Sequence, residues 1–235
     1  MLPAQPAGVM VNAVLERLYR EKTVLHRDGR RKQVIPPGLP AVRGEYLFRL
    51  VRDRRPRVTL ETGFAYGISA LFIAEALRQN GTGRHIVVDP FERTRFDGLG
   101  LAHLEEAGLA DRVTFYEEPS QLCLARLAEE GLQVELAFVD GHHLFDYVIA
   151  DCLLAAQLLA KNGLLVVDDT NLPAIARACD FFSTNRADFE ELTDGARPGF
   201  LRRLVEGTPA PPKLFRLFRR VAERDARNWD HFVPF

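Results

Sequence analysis

The chain has 235 residues, 47% hydrophobic and 27% charged, with a net charge of −1. That balance fits a soluble globular protein and argues against global disorder, a collagen-like fibre or a membrane channel. No apolar run reaches the ~20 residues that span a bilayer, because Asp151, Gln157, Lys161, Asn162 and Gly163 interrupt the longest one, residues 147–167.

The N-terminus lacks the basic start, apolar block and small-residue cleavage site of a signal peptide. Cys123, Cys152 and Cys179 are odd in number and widely spaced. They fit buried free thiols in a reducing cytoplasm better than disulfides or a zinc site. Residues 1–57 carry 13 Lys/Arg against 5 Asp/Glu, so the rest of the chain carries −9. A basic segment can steer anionic partners. Without a stacking-aromatic motif in it, a solvated face or a subunit surface is the better reading, and nucleic acid is not the expected partner.

In chain order, Val11 to Glu21 has apolar positions at Val11, Val14, Leu15 and Leu18 and predicts a helix. The basic, proline-rich stretch Arg27 to Pro40 predicts a loop or arm. Ala41 to Arg52 predicts a second helix. Five strands are then expected over residues 57–61, 85–89, 112–116, 134–140 and 164–168. Helices over 68–79, 99–107, 120–130, 145–160 and 173–183 follow them in turn. The strands are continuous apolar runs, as in a doubly wound α/β fold whose parallel sheet is covered on both faces. Two late strands are expected over 188–193 and 213–221. The aromatic tail RNWDHFVPF must pack on the core or on a partner.

Ligands of open α/β sheets bind outside the carboxyl ends of the strands. Four of the five expected strand ends carry carboxylates: Glu61, Asp89, Asp140, and the pair Asp168 and Asp169. After the first strand, Gly63 and Gly67 are spaced G-x-x-x-G before a helix opens. Glycine permits close approach and positive φ, and the helix start offers N–H groups to an anion. This is not the dinucleotide fingerprint, which needs glycine where Ala65 stands. Asp89, 26 residues beyond Gly63, can accept both hydroxyls of a ribose; a helix cap or surface acid is the alternative.

ETGFAYGIS, VVDPFE, PSQ, FVDGHH and VVDDTN fall in the order and spacing of class I S-adenosylmethionine (SAM)-dependent methyltransferases. The chain resembles small O-methyltransferases: the catechol O-methyltransferase group, and antibiotic-tailoring relatives whose fourth strand ends in Asp-Gly-x-His. The likeness covers about residues 35–180. It implies a Rossmann-like, mostly parallel seven-stranded sheet ending in an antiparallel strand. On this likeness residues 57–235 form the methyltransferase domain, with 1–56 as its N-terminal helical extension.

The resemblance also implies site roles. Glu61, Gly63 and Gly67 match the first cofactor motif, with Ala65 among the cofactor-contacting residues. Tyr66 and Ser69 match positions that hold the methionine portion of SAM. Asp89 stands at the ribose, Pro90 and Phe91 beside the adenine, and Ser120 and Gln121 near the adenine. Asp140 stands where the family has a cofactor contact, catalytic acid or metal ligand. Asp169 and Thr170 occupy the positions of an Asp-Asn metal pair, with Thr170 replacing the usual asparagine; Asp168 adds a carboxylate next door, and in the antibiotic-tailoring relatives two consecutive acids serve at this place. His143 matches the Asp-Gly-x-His histidine, and His142 is an extra.

Three carboxylates suit a hard cation such as Mg²⁺, which lowers the pKa of a bound hydroxyl. Alternatively, Asp140 caps a helix and one of the paired acids faces solvent. His143 is a candidate general base, or a structural histidine at a helix start. The expected reaction is methyl transfer to a small-molecule hydroxyl, in a cytoplasmic homodimer. Rival readings are a nicotinamide-dependent oxidoreductase, a non-catalytic SAM-fold interaction protein, and a nucleic-acid methyltransferase using the basic arm. The absent G-x-G-x-x-G, the retained acids and the absent Asn/Asp-Pro-Pro-Tyr-type motif weigh against them in turn.

Overall fold

The structure, a computed structural model, describes residues 11–35, 38–192 and 214–235. The chain forms two compact units. One holds the described residues up to Arg55, with Phe64–His85 and Phe91–Thr114. The other holds Pro56–Gly63, Ile86–Pro90 and the described residues from Phe115 onward.

In the first unit, α1 (Ala13–Glu21) starts two residues later than its periodicity predicts. Asn12 caps it, the side-chain oxygen accepting the Leu15 N–H at 2.9 Å. Val14, Leu15 and Leu18 face inward. The next segment corrects the sequence reading, because Arg27 to Pro40 is not simply a loop. β1 (Thr23–Leu25) and β2 (Arg31–Gln33) pair antiparallel, with Val24 opposite Lys32. Gly29, at φ +78°, closes the turn and donates its N–H to the His26 carbonyl. Every residue of β2 is exposed, so no apolar period marks it. Pro36 and Pro37 lie outside the described residues.

α2 (Ala41–Arg54) packs on α3 (Ile68–Asn80). Gly44 permits this approach, since a Cβ there would meet the fully buried Phe72 ring at 2.1 Å. α4 (Glu92–Arg95), α5 (Leu99–Glu106) and a 3-10 turn (Ala110–Arg112) follow. α4 was not expected; one turn is too short to show a helical period.

Seven strands form one sheet: β3 (Val58–Thr62), β4 (Arg84–Val88), β5 (Val113–Tyr116), β6 (Val134–Val139), β7 (Leu159–Val167), β8 (Phe189–Glu191) and β9 (Arg216–Arg220), in the order β5-β4-β3-β6-β7-β9-β8. β6 runs parallel to β3 and β7, and β9 runs antiparallel to β7 and β8. This is the expected mostly parallel sheet with an antiparallel end. β7 begins earlier than predicted. Its register against β6 shifts between Val134 and Leu136, and Asn162 takes φ +66°, which lets the strand pass through Lys161-Asn162-Gly163.

In the second unit α6 (Ser120–Glu129), α7 (Phe145–Leu158) and α8 (Pro173–Asn185) pack in succession over a core that includes Leu60, Val139, Phe182 and Phe218. Full burial of each such side chain favours folding by about 1.5–3 kcal/mol. β9 tolerates its arginines because Arg216 is bonded to Asp180 and Glu191, at 2.7 Å each. Of the expected late strands, Thr193 and Lys213 lie outside the described residues.

The tail is anchored by a reciprocal pair: Asn185 Nδ2 donates to the Val233 carbonyl at 2.9 Å, and the Val233 N–H donates to Asn185 Oδ1 at 2.8 Å. Phe235 packs edge-on to Phe181, whereas Trp229 is 97% exposed. All three cysteines are buried free thiols. Burial pushes Cys123 and Cys179 up to about 12 and Cys152 well above its ordinary value, so none is a reactive thiolate at neutral pH. Among the described residues, no helix is long and apolar enough to cross a membrane.

Candidate active site

Main-chain hydrogen bonds set the acids of the sheet unit along one rim. Asp89 N–H donates to the Tyr116 carbonyl (3.1 Å), Gly63 N–H to Val88 (3.0 Å), Asp140 N–H to Thr62 (3.0 Å) and Asp168 N–H to Val139 (3.1 Å). Each residue just past a strand is thus tied to the end of the neighbouring strand, and the parallel stagger brings Glu61, Asp89, Asp140 and Asp168 to the same edge. Glu61 is fully buried, and Asp89 and Asp168 nearly so.

Gly63 is required where it stands. Its φ is +86°, and a Cβ would lie 2.2 Å from the Asp140 carbonyl oxygen. Two strand ends therefore approach closely at this glycine, for a reason separate from any ligand.

The expected metal residues are only partly brought together. Asp140, His143 and Asp169 each offer one ligand atom, and these atoms lie within 4.8 Å of one another. His143 Nε2 is 3.5 Å from Asp169 Oδ2. Asp168 stands outside this group, and its Oδ1 accepts the Asp169 N–H at 2.6 Å. That bond holds Asp169 in a left-handed turn at φ +51°, a conformation aspartate tolerates. Two carboxylates and an imidazole fit a divalent cation: the oxygens suit Mg²⁺ or Mn²⁺, and a ring nitrogen favours transition metals.

Ser120 and Gln121 open α6, both half-buried. The Ser120 hydroxyl donates to Asp151 Oδ1 at 2.6 Å, an acid on α7 that the sequence reading passed over. Burial raises the Asp151 carboxyl above its ordinary range. The Ser120 and Thr62 hydroxyls and the charge of His142 pull it down, but less strongly. Its signal was present in the sequence, as an acid in the middle of an apolar helix. Among the histidines of the Asp-Gly-His-His turn, His142 packs on the Tyr147 ring at 4.6 Å.

Pro90 lies in the second unit beside Asp89, and the first unit holds Ala65, Tyr66, Gly67, Ser69 and Phe91. Ala65 has φ +47°, and Gly67 has φ +74° at the cap of α3. Ser69 is buried on the first turn. Phe91 is 37% exposed, with the Arg95 guanidinium 5.1 Å above its ring.

Gly100 went unremarked in the sequence. A Cβ there would meet Phe64 at 2.5 Å and the Ala65 carbonyl at 2.9 Å, so α5 approaches the glycine loop only without a side chain. Tyr66 is held from two directions. His103 Nδ1 lies 2.9 Å from its carbonyl oxygen and His26 Nε2 lies 2.9 Å from its hydroxyl. Neither histidine carries a local motif, and His26 lies in the hairpin the sequence reading did not resolve.

Residues 60–170 match a family model described as a methyltransferase domain. Catechol O-methyltransferase of Sus scrofa is 27% identical over 184 residues, covering 72% of this chain and 95% of that protein. Caffeoyl-CoA O-methyltransferase 1 of Eucalyptus globulus is 32% identical over 129 residues, covering 54% of this chain and half of that longer protein. The O-methyltransferase TomG from Streptomyces achromogenes, solved in complex with SAM, has the same fold at TM-score 0.65 and 20% identity, with 94% of this chain and 93% of that one covered. Residues 60–170 are thus a methyltransferase domain, and the chain is similar to the small O-methyltransferases.

Proposed function

We propose that this methyltransferase methylates a hydroxyl of a small-molecule acceptor, with a divalent cation held by Asp140 and Asp169 and with His143 as the proton acceptor. The convergence of Asp140, His143 and Asp169 on one point carries this reading. When bound, SAM supplies an activated methyl group and the cation supplies a Lewis acid that lowers the acceptor's pKa.

The protein's own part is to position and to accept a proton. Asp168 orients Asp169 through the 2.6 Å main-chain bond, so Asp168 acts through its neighbour. His143, exposed at the rim, takes the hydroxyl proton and passes it to solvent. Positioning supplies much of the rate of such transfers.

Glu61, Gly63, Ala65, Tyr66, Gly67, Ser69, Asp89, Pro90, Phe91, Ser120, Gln121 and Asp140 hold the cofactor on this reading. Ser120 has a second duty to Asp151. Asp89, nearly buried at a strand end, is the residue proposed for the ribose. The fuller reading has residues 57–235 as the catalytic domain with 1–56 as its extension, working as a cytoplasmic homodimer.

Mn²⁺ binding measured alongside methyl transfer from SAM to catechol tests the assignment. Asp169→Asn should weaken Mn²⁺ at least about tenfold and lower turnover. His143→Ala should keep Mn²⁺ affinity while kcat falls. Loss of Mn²⁺ binding in His143→Ala would make His143 a ligand instead. Unchanged Mn²⁺ affinity in both Asp140→Asn and Asp169→Asn would overturn the metal site.

A further inference from the structure

His26 follows β1 at the base of the hairpin turn, where its N–H donates to the Arg30 carbonyl at 2.9 Å. Its side chain is only 2% exposed, and its two ring nitrogens have different partners. Nδ1 lies 2.7 Å from Asp97 Oδ2, and Nε2 lies 2.9 Å from the Tyr66 hydroxyl. A carboxylate only accepts, so Nδ1 carries the proton. In the tautomer that leaves Nε2 without a proton, Nε2 accepts and the Tyr66 O–H donates to it. Burial, and then the charges of Asp97 and Glu92, raise the Tyr66 phenol above its ordinary value, so it keeps that proton.

Asp97 is itself fixed. It sits at φ +58°, and its Oδ2 also accepts the Arg27 N–H at 3.0 Å. Phe96 packs edge-on to Tyr66 with ring centres 5.2 Å apart.

We propose that His26 is a positioning residue for cofactor binding. Backed by Asp97, it takes the one proton of Tyr66 and presents the phenol oxygen purely as an acceptor, suited to the ammonium group of the cofactor's methionine portion. This rests on the reading that Tyr66 faces that portion. The N-terminal hairpin thereby belongs to the cofactor machinery rather than being a solvated arm.

Calorimetric titration with S-adenosylhomocysteine tests this, with 5′-methylthioadenosine, which has no amino-acid portion, as the control ligand. Tyr66→Phe and His26→Leu should each weaken S-adenosylhomocysteine about tenfold, and the double variant should be no weaker than Tyr66→Phe alone. His26→Gln, which keeps an acceptor near Nε2, should restore most of the affinity. 5′-Methylthioadenosine should bind all of them alike. Unchanged S-adenosylhomocysteine affinity in His26→Leu, or losses that add in the double variant, would overturn the proposal. If His26→Leu does not fold, Asp97→Asn and His26→Gln decide: equal loss with both ligands makes the triad merely structural. Failure of the wild-type protein to bind S-adenosylhomocysteine would instead sink the cofactor reading beneath it.

Discussion

In the sheet unit, Asp89, Asp140 and Asp168 are placed by main-chain bonds between neighbouring strands. In the other unit, Tyr66 is placed by side chains, with His26, itself held by Asp97, on its hydroxyl and His103 on its carbonyl. A ladder is indifferent to side-chain identity, so Asp89 and Asp140 can be exchanged without moving the rim, whereas the Asp168 side chain also holds the turn at Asp169. A side-chain scaffold fails when one member is replaced. Substitutions should therefore act through chemistry in the first case and through geometry in the second.

The largest expected effect is at Gly63. Gly63→Ala combines left-handed strain with a 2.2 Å clash against main chain and should cost about 3–5 kcal/mol in urea unfolding. Its counterpart in the other unit is Gly44→Ala, where the obstacle is the Phe72 ring and the backbone is unstrained. That variant should lose about 1–3 kcal/mol. A loss at Gly44 equal to that at Gly63 would contradict the distinction between main-chain and side-chain obstruction.

Much of the sheet unit was legible because continuous apolar strands bounded by acids and glycines carry their own punctuation. The ends of β3, β4 and β6 fell within a residue of expectation. β1 and β2 were not legible, since three-residue strands with an exposed face have no period; the Asp28-Gly29 pair at the turn was the one available signal. The rim acids could be read by position. The cluster of Asp140, His143 and Asp169 could not be separated from Asp168, because which of two adjacent acids turns outward depends on the left-handed turn at Asp169. Asp151 and His26 meet their partners only through the fold.

The pH response separates the two regions next. His103 is lowered from its ordinary 6.5, chiefly by burial. The unfolded chain then binds the proton more readily, and stability is lost as pH falls from 6.5 through the lower folded value. Asp151 is raised above 3.8, again chiefly by burial, so its contribution is full below 3.8 and is lost as pH rises through the folded value. Asp151→Asn retains an acceptor for Ser120. It should remove the second slope while leaving the first, as read by melting temperature against pH. An unchanged profile would contradict the burial of a titrating carboxyl.

The smallest effect is expected at the hairpin tip. Arg30→Ala removes an exposed ion pair with Asp28 and should leave the melting temperature and S-adenosylhomocysteine affinity unchanged. A clear loss of affinity would mean that the tip itself touches ligand.

The most direct test of the central claim is a thermal-shift titration with S-adenosylhomocysteine, with and without Mg²⁺, and with NAD⁺ as control. A ligand bound only by the folded state stabilises it by about 2.7 kcal/mol at a hundredfold excess over its Kd. A SAM-dependent enzyme with a cation at Asp140 and Asp169 predicts a rise with S-adenosylhomocysteine, a further rise with Mg²⁺ that Asp169→Asn abolishes, and none with NAD⁺. No rise at saturating S-adenosylhomocysteine, or a rise with NAD⁺ instead, would contradict it.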